Sequence, residues 1–296
     1  MATEEQLTGW TGQSSDTEQD KQDRTNRMIT DAVNAHPAFE GCSLSVYPKG
    51  SYANQTNVRA DSDVDIVVQC HECQYWDEAE PGARHDTAGT YQGIWTPAKL
   101  RSELVAALQA KFPGQADASG STAIVVRSSR ARIDADVVPS FNYRYFFASG
   151  SYRDGTKVFK NGAGSVVNWP AQHLAMGQAK NARTNGRFKQ AVRILKRIEN
   201  LMVQAGAHRE VPSYFMECLG YNVPDSILLS STWTDTMKGV LFHVWDGTGG
   251  AEPIEAAERW LEVNECKWLF SSAQKWTRTD GRDLAQAAWT YLGFGS

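Results

Sequence analysis

The 296-residue chain has no run of 18 consecutive apolar residues, so a membrane-spanning helix is not expected. Its five cysteines are odd in number and scattered, which argues against a disulfide framework and makes a reducing cytoplasm the simplest setting. Residues 1–22 are acidic and polar without an apolar stretch, unlike a secretory signal. The net charge of −4 argues against a general nucleic-acid binder.

The chain does have the length of about two domains and the composition of a globular protein, with 41% hydrophobic and 22% charged residues. Strand and helix patterns are mixed as far as Asn168-Trp169-Pro170, and helical patterns dominate after it. We therefore predict a mixed α/β domain over residues 1–165 and a helical lobe over residues 166–296. The first 15 or so residues show no periodicity and are expected to be frayed.

Several elements have clear local signals. Thr96 and Pro97 are the N-cap and the first residue expected of a helix. Residues 122–126 and 131–138 are predicted to pair as strands across a short polar turn, and a later hairpin is predicted to turn at Asp154-Gly155. The other predicted elements are a helix over residues 16–35 and strands over residues 43–47 and 64–69.

Charge is unevenly distributed along the chain. Residues 180–209 hold eight Lys or Arg against one acid, Glu199, which gives this segment +7 and leaves −11 for the rest of a chain whose total is −4. On a helical wheel, one side of the segment is apolar, and Lys189, Arg193 and Lys196 lie opposite. The pattern predicts a helix that packs with one side and offers cations to a triphosphate with the other. A solvated charged face is the alternative.

The most informative segment is Gly50–Val68. Asp63 and Asp65 are two residues apart at the start of a predicted strand, so both carboxylates project from one face. Two ionised carboxylates repel, and a hard divalent cation such as Mg²⁺ relieves the repulsion. An Asp-rich turn that only solvates the strand entry fits this motif equally well on its own. Gly50 and Ser51 add weight, because a glycine lets backbone amides approach phosphate oxygens and a serine hydroxyl can donate to one.

A third carboxylate lies in the strand pattern over residues 131–141. Alternation places Arg132, Asp134 and Asp136 on one face of that strand. A carboxylate within an apolar strand is unfavourable to bury unless it is paired or bound to a metal. Strand carboxylates that converge on metal ions are the arrangement of two-metal phosphoryl transfer, so the three motifs together indicate that chemistry.

Gly50-Ser51, followed after eleven residues by Asp63-Val-Asp65-Ile and later by Asp136-Val-Val-Pro, resembles the pattern of the polymerase-β-like nucleotidyltransferases. More narrowly, the chain resembles the bacterial cGAS/DncV-like nucleotidyltransferases. This resemblance runs from about residue 25 to 225, and no family motif is recognised beyond residue 225. It implies a bilobed α+β fold, with a polymerase-β-like core and a helical C-terminal lobe that closes the nucleotide cleft.

The resemblance also implies roles for individual residues. Asp63 and Asp65 would bind two Mg²⁺ ions, with Mn²⁺ as an alternative, and Asp136 would be the third catalytic carboxylate and metal ligand. Ser51 and Lys196 would hold the donor triphosphate. The predicted nucleotide-binding residues are Gly50, Ser51, Asn168, Arg193, Lys196, Ser213 and Tyr214.

The activity that the resemblance implies is attack of a ribose hydroxyl on the α-phosphate of a nucleoside triphosphate, with release of pyrophosphate. Repeated transfer between ATP and a second nucleotide would give a cyclic dinucleotide or trinucleotide messenger. That messenger would activate an effector protein in bacterial anti-phage signalling, with no membrane partner and no DNA activator. Asn168 is the candidate base contact, and its amide can satisfy the donor and acceptor of uracil, so a pyrimidine is compatible with the product.

Two other functions stay open. A nucleotidyltransferase that modifies an RNA 3′ end or a protein is one, although the charge of −11 outside the basic segment disfavours a track for RNA. A non-catalytic nucleotide-binding module is the other, and the presence of all three carboxylates disfavours it. Cys70 and Cys73 form a single Cys-x-x-Cys, a weak zinc signal for which ordinary thiols are the favoured interpretation.

Overall fold

A computed structural model of the chain describes residues 2–13, 15–58, 63–85 and 91–295. The chain divides into two compact units. The sheet unit comprises residues 15–53 and 59–170, and the helical unit comprises residues 1–14, 54–58 and 171–296.

The sheet unit is built on one seven-stranded mixed sheet. Its strands are β1 (Leu44–Pro48), β2 (Val64–Glu78), β3 (Ala116–Asp117), β4 (Ile124–Val126), β5 (Ala135–Phe146), β6 (Tyr152–Phe159) and β7 (Ser165–Asn168). The order is β1-β2-β5-β4-β3, and β6 pairs with the second half of β5 and with β7. Strands β2 and β5 are parallel, and the other pairs are antiparallel. The α+β class predicted from the sequence is therefore confirmed.

The helices are α1 (Glu4–Gly9), α2 (Asp16–Asn34), α3 (Gly50–Ala53), α4 (Pro97–Lys111), α5 (Pro170–Arg183), α6 (Arg187–Gln204), α7 (Ser213–Tyr221), α8 (Asp225–Leu228), α9 (Trp233–Gly247) and α10 (Arg278–Leu292). Two short 3₁₀ helices cover Pro37–Phe39 and Ala256–Glu258. Among the residues described, no helix is long and apolar enough to cross a bilayer.

One face of the sheet forms the core of its unit. Ile66 of β2 and Val137 of β5 are fully buried there, together with Ile29 of α2 and Leu104 of α4. Because side chains alternate along a strand, the residues between these apolar positions lie on the opposite face, which is the face of Asp65 and Asp136.

The local signals for α4 and for the β4–β5 pair are confirmed. The Thr96 hydroxyl accepts a hydrogen bond from the backbone N–H of Lys99 at 3.2 Å, Pro97 is the first helical residue, and β4 pairs antiparallel with β5. The predicted turn at Asp154-Gly155 is wrong, because both residues lie within β6 and the turn is at residues 147–151. Gly155 is needed for packing instead, since a Cβ there would lie 2.7 Å from the Trp169 ring.

The expectation of a frayed N-terminus is also wrong. Residues 4–9 form α1, which begins with a capping box at Thr3. The Glu4 carboxylate accepts hydrogen bonds from the backbone N–H groups of Trp233 and Thr234, at 2.6 and 2.7 Å, where α9 begins. Leu7 is fully buried in the core of the helical unit. Long-range contacts therefore hold this segment in place, although the helix is too short to give a periodic pattern in the sequence.

We expect Leu7→Ala to lower the free energy of unfolding by about 2–5 kcal/mol, because it leaves a cavity in the core of the helical unit. Urea denaturation would measure the change. Glu5→Ala, at an exposed position of the same helix, is the matched control, with an expected change within about 0.5 kcal/mol. Equal stability of the two variants would show that α1 does not pack as described.

Candidate active site

Asp65 and Asp136 lie side by side in the centre of the sheet. They are register partners on the parallel strands β2 and β5, so their side chains share one face. The neighbouring positions at this level are Lys49, whose N–H donates to the Asp65 carbonyl at 2.9 Å, and Val125 of β4, the partner of Asp136. The structure thus brings together two of the three carboxylates that the sequence singles out.

The environment of this pair disfavours two negative charges. Burial raises the pKa of Asp65, and the ammonium of Lys49, 3.9 Å from its Oδ1, opposes the rise. Burial also raises the pKa of Asp136, and the adjacent charge of Asp65 raises it further. Two partly buried oxygen ligands with one distant cation suit a hard divalent cation, so the pair fits the Mg²⁺ predicted from the sequence.

Asp63 lies two residues before Asp65 in the chain. It is exposed and lies one residue before β2. In the described ranges, no group of three His, Cys, Asp or Glu side chains is placed to hold a metal ion. A role for Asp63 as a third ligand therefore stays a prediction. Cys70 and Cys73 are buried in the core of the sheet unit.

Gly50 lies against the Asp65 carboxylate. It begins α3 with a φ of +69°, in the left-handed region, and a Cβ at this position would stand 2.5 Å from Asp65 Oδ2. A glycine is favoured here on both grounds. The sequence predicts that Gly50 lets the backbone approach a phosphate. In the structure, the group that comes close to Gly50 is the Asp65 carboxylate. Ser51 follows in the first turn of α3 and is half-buried.

Asn168 lies on the same sheet face as the carboxylates. It is the last residue of β7 and pairs with Thr156 of β6, which pairs in turn with Asn142 of β5. Asn142 and Asp136 are six residues apart on β5, so alternation places them on the same face. The sequence put Asn168 in the helical lobe, and that placement is wrong because β7 extends the sheet to this residue.

A polar network on this face was missed by sequence reasoning. The Gln69 amide joins the Tyr47 hydroxyl at 2.6 Å to the Asn142 amide at 2.7 Å. His71 lies 2.9 Å from Asn142 Oδ1 and 2.8 Å from Ser45 Oγ. Polar residues at alternate positions of β2 were the available signal. The network lies on the carboxylate face beyond Val67 and Val138, and Asn142 joins it to the row of Thr156 and Asn168.

Three cations of α6 are buried within the helical unit. Lys189, Arg193 and Lys196 are at most 7% exposed. Arg193 donates to the backbone carbonyls of Thr11 at 2.6 Å and Gln55 at 2.7 Å, and burial lowers its pKa to about 10. The prediction that this side of α6 is open is therefore wrong, because a helical wheel cannot show that two remote chain segments cover it.

Lys196 and Glu217 form the centre of this buried cluster. Lys196 Nζ donates to Thr56 Oγ1 at 3.2 Å and lies 3.8 Å from Glu217 Oε2. Burial lowers the pKa of Lys196, and the charge of Glu217 opposes that change. Glu217 also accepts from the Thr56 hydroxyl at 2.8 Å and lies 2.8 Å from His173 Nε2. The cluster ties residues 54–58 to α5, α6 and α7.

Glu217 stays ionised in this cluster. Burial alone would raise its pKa, but the hydrogen bond and charge of His173, the charge of Lys196 and the Thr56 hydroxyl outweigh burial and lower the pKa to about 2. The Glu217 carboxylate therefore stabilises the folded chain wherever it is charged.

Ser213 and Tyr214 begin α7 in the helical unit. Ser213 is exposed. Tyr214 is half-buried, and its hydroxyl donates to Glu262 at 3.0 Å and accepts from the Asn264 amide at 3.1 Å. Its ring meets His173 edge-on at 5.2 Å. Binding of nucleotide by these residues, by Arg193 and by Lys196 stays a prediction.

We expect Gly50→Ala to destabilise the chain more than Gly41→Ala. Both positions have a φ near +70°, so each alanine meets a backbone strain of about 1–2 kcal/mol. Only Gly50 has the Asp65 carboxylate in the way, because nothing lies within 4 Å of the Cβ site at Gly41. Urea denaturation of both variants would measure the difference, and equal losses would contradict the close contact of Gly50 with Asp65.

We expect the wild type to have a higher free energy of unfolding than Glu217→Gln, and this difference to shrink as the pH falls below about 4.5 towards 2. The reason is that the pKa of Glu217 in the folded chain lies below its ordinary value, so the unfolded chain takes up the proton first. Above that window the contribution is fully present. Denaturation at pH 7, 4 and 3 would test this. Glu5→Gln, at an exposed site, controls for the loss of a surface carboxylate, and a lead that does not change with pH would contradict the buried ionised state.

Comparison with known proteins extends the sequence resemblance to the C-terminus. The protein-family model that describes the cGAS/DncV-like nucleotidyltransferase C-terminal helical domain matches residues 175–293. The similarity to the family therefore continues beyond residue 225, where no motif is recognised in the sequence alone.

Relatives align over nearly the whole chain. A cyclic dipyrimidine nucleotide synthase of Legionella pneumophila is 34% identical over 288 residues, covering 96% of this chain and 95% of the relative. A cyclic dipurine nucleotide synthase of Elizabethkingia meningoseptica is 31% identical, covering 99% of each. The structure of the Rhodothermus marinus CdnE c-UMP-AMP synthase with Apcpp and Upnpp has a TM-score of 0.85 at 26% identity, covering 100% of this chain and 98% of that one. The chain belongs to the cGAS/DncV-like nucleotidyltransferases.

Proposed function

We propose that the chain joins nucleoside triphosphates into a cyclic dinucleotide or trinucleotide, with release of one pyrophosphate for each bond formed. The observation that carries this proposal is the in-register pair Asp65 and Asp136 beside Gly50-Ser51, in a chain whose relatives are cyclic nucleotide synthases. A site of this kind supports transfer at a phosphate, and the relatives indicate that the acceptor is a second nucleotide.

In each transfer, a ribose hydroxyl oxygen bonds to the α-phosphorus, and the bond from that phosphorus to the pyrophosphate breaks. The hydroxyl proton leaves towards a carboxylate, for which Asp136 is the candidate. The Ser51 hydroxyl, in the turn beside Asp65, is a candidate donor to the phosphate chain of the nucleotide that is attacked.

Asp65 and Asp136, with Asp63, are the residues that would hold Mg²⁺ or Mn²⁺. Bound metal would promote loss of the hydroxyl proton and neutralise the leaving pyrophosphate. The raised pKa of both Asp65 and Asp136 supports this assignment, because a bound cation would stabilise the charged carboxylates that burial disfavours.

A pyrimidine is our proposal for one base of the product. Relatives of comparable identity are named as dipyrimidine and dipurine synthases, so overall identity does not choose between the bases. Asn168 favours the pyrimidine, because it lies on the carboxylate face of the sheet and its amide can pair with the N3–H donor and a carbonyl acceptor of uracil. The family resemblance extends the proposal to an effector protein that binds the product in the cytoplasm and serves antiviral defence.

The test is incubation with each α-labelled nucleoside triphosphate, alone and in pairs, with MgCl₂. We expect a labelled product that resists phosphatase, because a closed ring has no terminal phosphate. Asp136→Asn should lower its rate of formation by about 100-fold or more, the usual contribution of a general base.

Asp77→Asn is the matched control, because Asp77 lies on the same strand as Asp65 and is 57% exposed. It should keep the wild-type rate. Undiminished product from Asp136→Asn would overturn the assignment of the site. Labelling of added RNA or protein, with no phosphatase-resistant product from triphosphates alone, would favour the alternative transferase.

A further inference from the structure

The hairpin turn that joins β4 to β5 is unusually basic. Residues 127–132 contain Arg127, Arg130 and Arg132 and no acid. The backbone N–H of Ser129 donates to the carbonyl of Arg132 at 2.9 Å, which places Arg130 and Ala131 at the tip of the turn. The sequence pattern marked this segment only as a short polar turn.

The turn begins two residues beyond the part of β4 that lies beside the carboxylate pair. Val125 of β4 is the register partner of Asp136, and Arg127 comes two residues later, so alternation puts it on the carboxylate face. The strand order β1-β2-β5-β4 then sets the arrangement across the sheet. Gly50-Ser51, which follow β1, flank Asp65 on one side, and the basic turn flanks Asp136 on the other.

The charges of the turn are largely available to a ligand. Arg130 is exposed and has no hydrogen bond or ion pair with any residue that the structure describes. The Arg127 side chain is 61% exposed and lies 3.4 Å from Asp117 at one nitrogen, Nη2. The nearby Asp134 carboxylate accepts a hydrogen bond from the backbone N–H of Ser128. The turn therefore keeps a net positive charge.

The buried Arg132 adds a third positive charge to the turn. Its guanidinium lies 4.6 Å from the centre of the Phe112 ring, and Nη1 donates to Ser129 Oγ at 3.3 Å. The residue is 6% exposed, and its Nε and Nη2 have no partner among the described residues. A buried cation without a hydrogen-bonded carboxylate adds positive potential to a turn that already carries two exposed arginines.

We propose that Arg127 and Arg130 bind the 5′-triphosphate of the acceptor nucleotide. The inference rests on the proposed function. In phosphoryl transfer, the attacking and leaving oxygens lie roughly in line on opposite sides of the phosphorus. If the leaving pyrophosphate lies on the Ser51 side of the carboxylates, the acceptor lies on the side of the basic turn. Arginine suits this task, because its planar fork binds phosphate oxygens in pairs.

Ring closure explains why such a subsite matters. The first transfer leaves a linear product that still carries the triphosphate of the acceptor. In the second transfer, a hydroxyl of the donor residue attacks the α-phosphorus of that triphosphate, and a second pyrophosphate leaves. An acceptor without a triphosphate can only give a linear dead end. Arg127 and Arg130 would select acceptors that can complete the ring.

A single-transfer assay tests the subsite. The donor is a 2′,3′-dideoxynucleoside triphosphate, which cannot act as acceptor, and the acceptor is supplied as a nucleoside triphosphate or as the matching monophosphate. For the wild type we expect a lower KM for the triphosphate acceptor. In Arg127→Ala/Arg130→Ala that KM should rise about 10-fold, the effect of losing one or two charge-assisted contacts. The KM of the donor and the use of the monophosphate acceptor should not change.

Arg24→Ala removes an exposed arginine from α2 of the same unit and should keep the wild-type preference. Arg127→Lys/Arg130→Lys should retain part of it, because the charge remains. An unchanged preference in the double alanine variant, or an equal rise in the KM of the donor, would overturn the subsite. A wild type that forms no dinucleotide from either acceptor would instead overturn the proposed function.

Discussion

Backbone hydrogen bonds between the parallel strands β2 and β5 hold Asp65 and Asp136 next to each other, although the charge of Asp65 makes Asp136 harder to ionise. The other face of the same strands opposes any slippage. Ile66 and Val137 alternate with the carboxylates and are fully buried in the core of the sheet unit. A shift of one residue would carry the carboxylates into that core and the apolar side chains out of it. Hydrophobic packing on one face of the sheet thus keeps the two carboxylates close together on the other face.

The helical unit uses charge differently. Lys189, Arg193 and Lys196 of α6 are buried, and the charges of Arg193 and Lys196 are met by carbonyl groups, the Thr56 hydroxyl and Glu217. A buried ion pair gains little net stability over apolar packing, but the loss of one partner leaves an uncompensated charge. Such groups therefore help to hold residues 54–58 in place, because Arg193 donates to the Gln55 carbonyl, Lys196 donates to Thr56, and Thr56 donates to Glu217. Those residues belong to the chain segment between Ser51 and Asp63.

What the sequence predicts well are features that a few neighbouring residues encode. The Thr96 cap of α4, the pairing of β4 with β5 and the strand that begins at Val64 are examples. Features that depend on remote partners were not predictable. Asp154-Gly155 has the form of a turn, and only the ring of Trp169 shows why a glycine stands within β6. The basic side of α6 has the form of a ligand surface, and only the contacts of Thr11 and Gln55 show that it is covered.

The contact between Gly50 and Asp65 links two positions that are fifteen residues apart in the chain. The carboxylate occupies the space in which a side chain at position 50 would stand. A bulkier group at either position has to be accommodated by the other, so a glutamate in place of Asp65 would press on the backbone of α3 even with Gly50 intact. We therefore expect the effect of a substitution at either position to depend on the residue at the other. The shortest acidic side chain is matched to the one residue without a side chain.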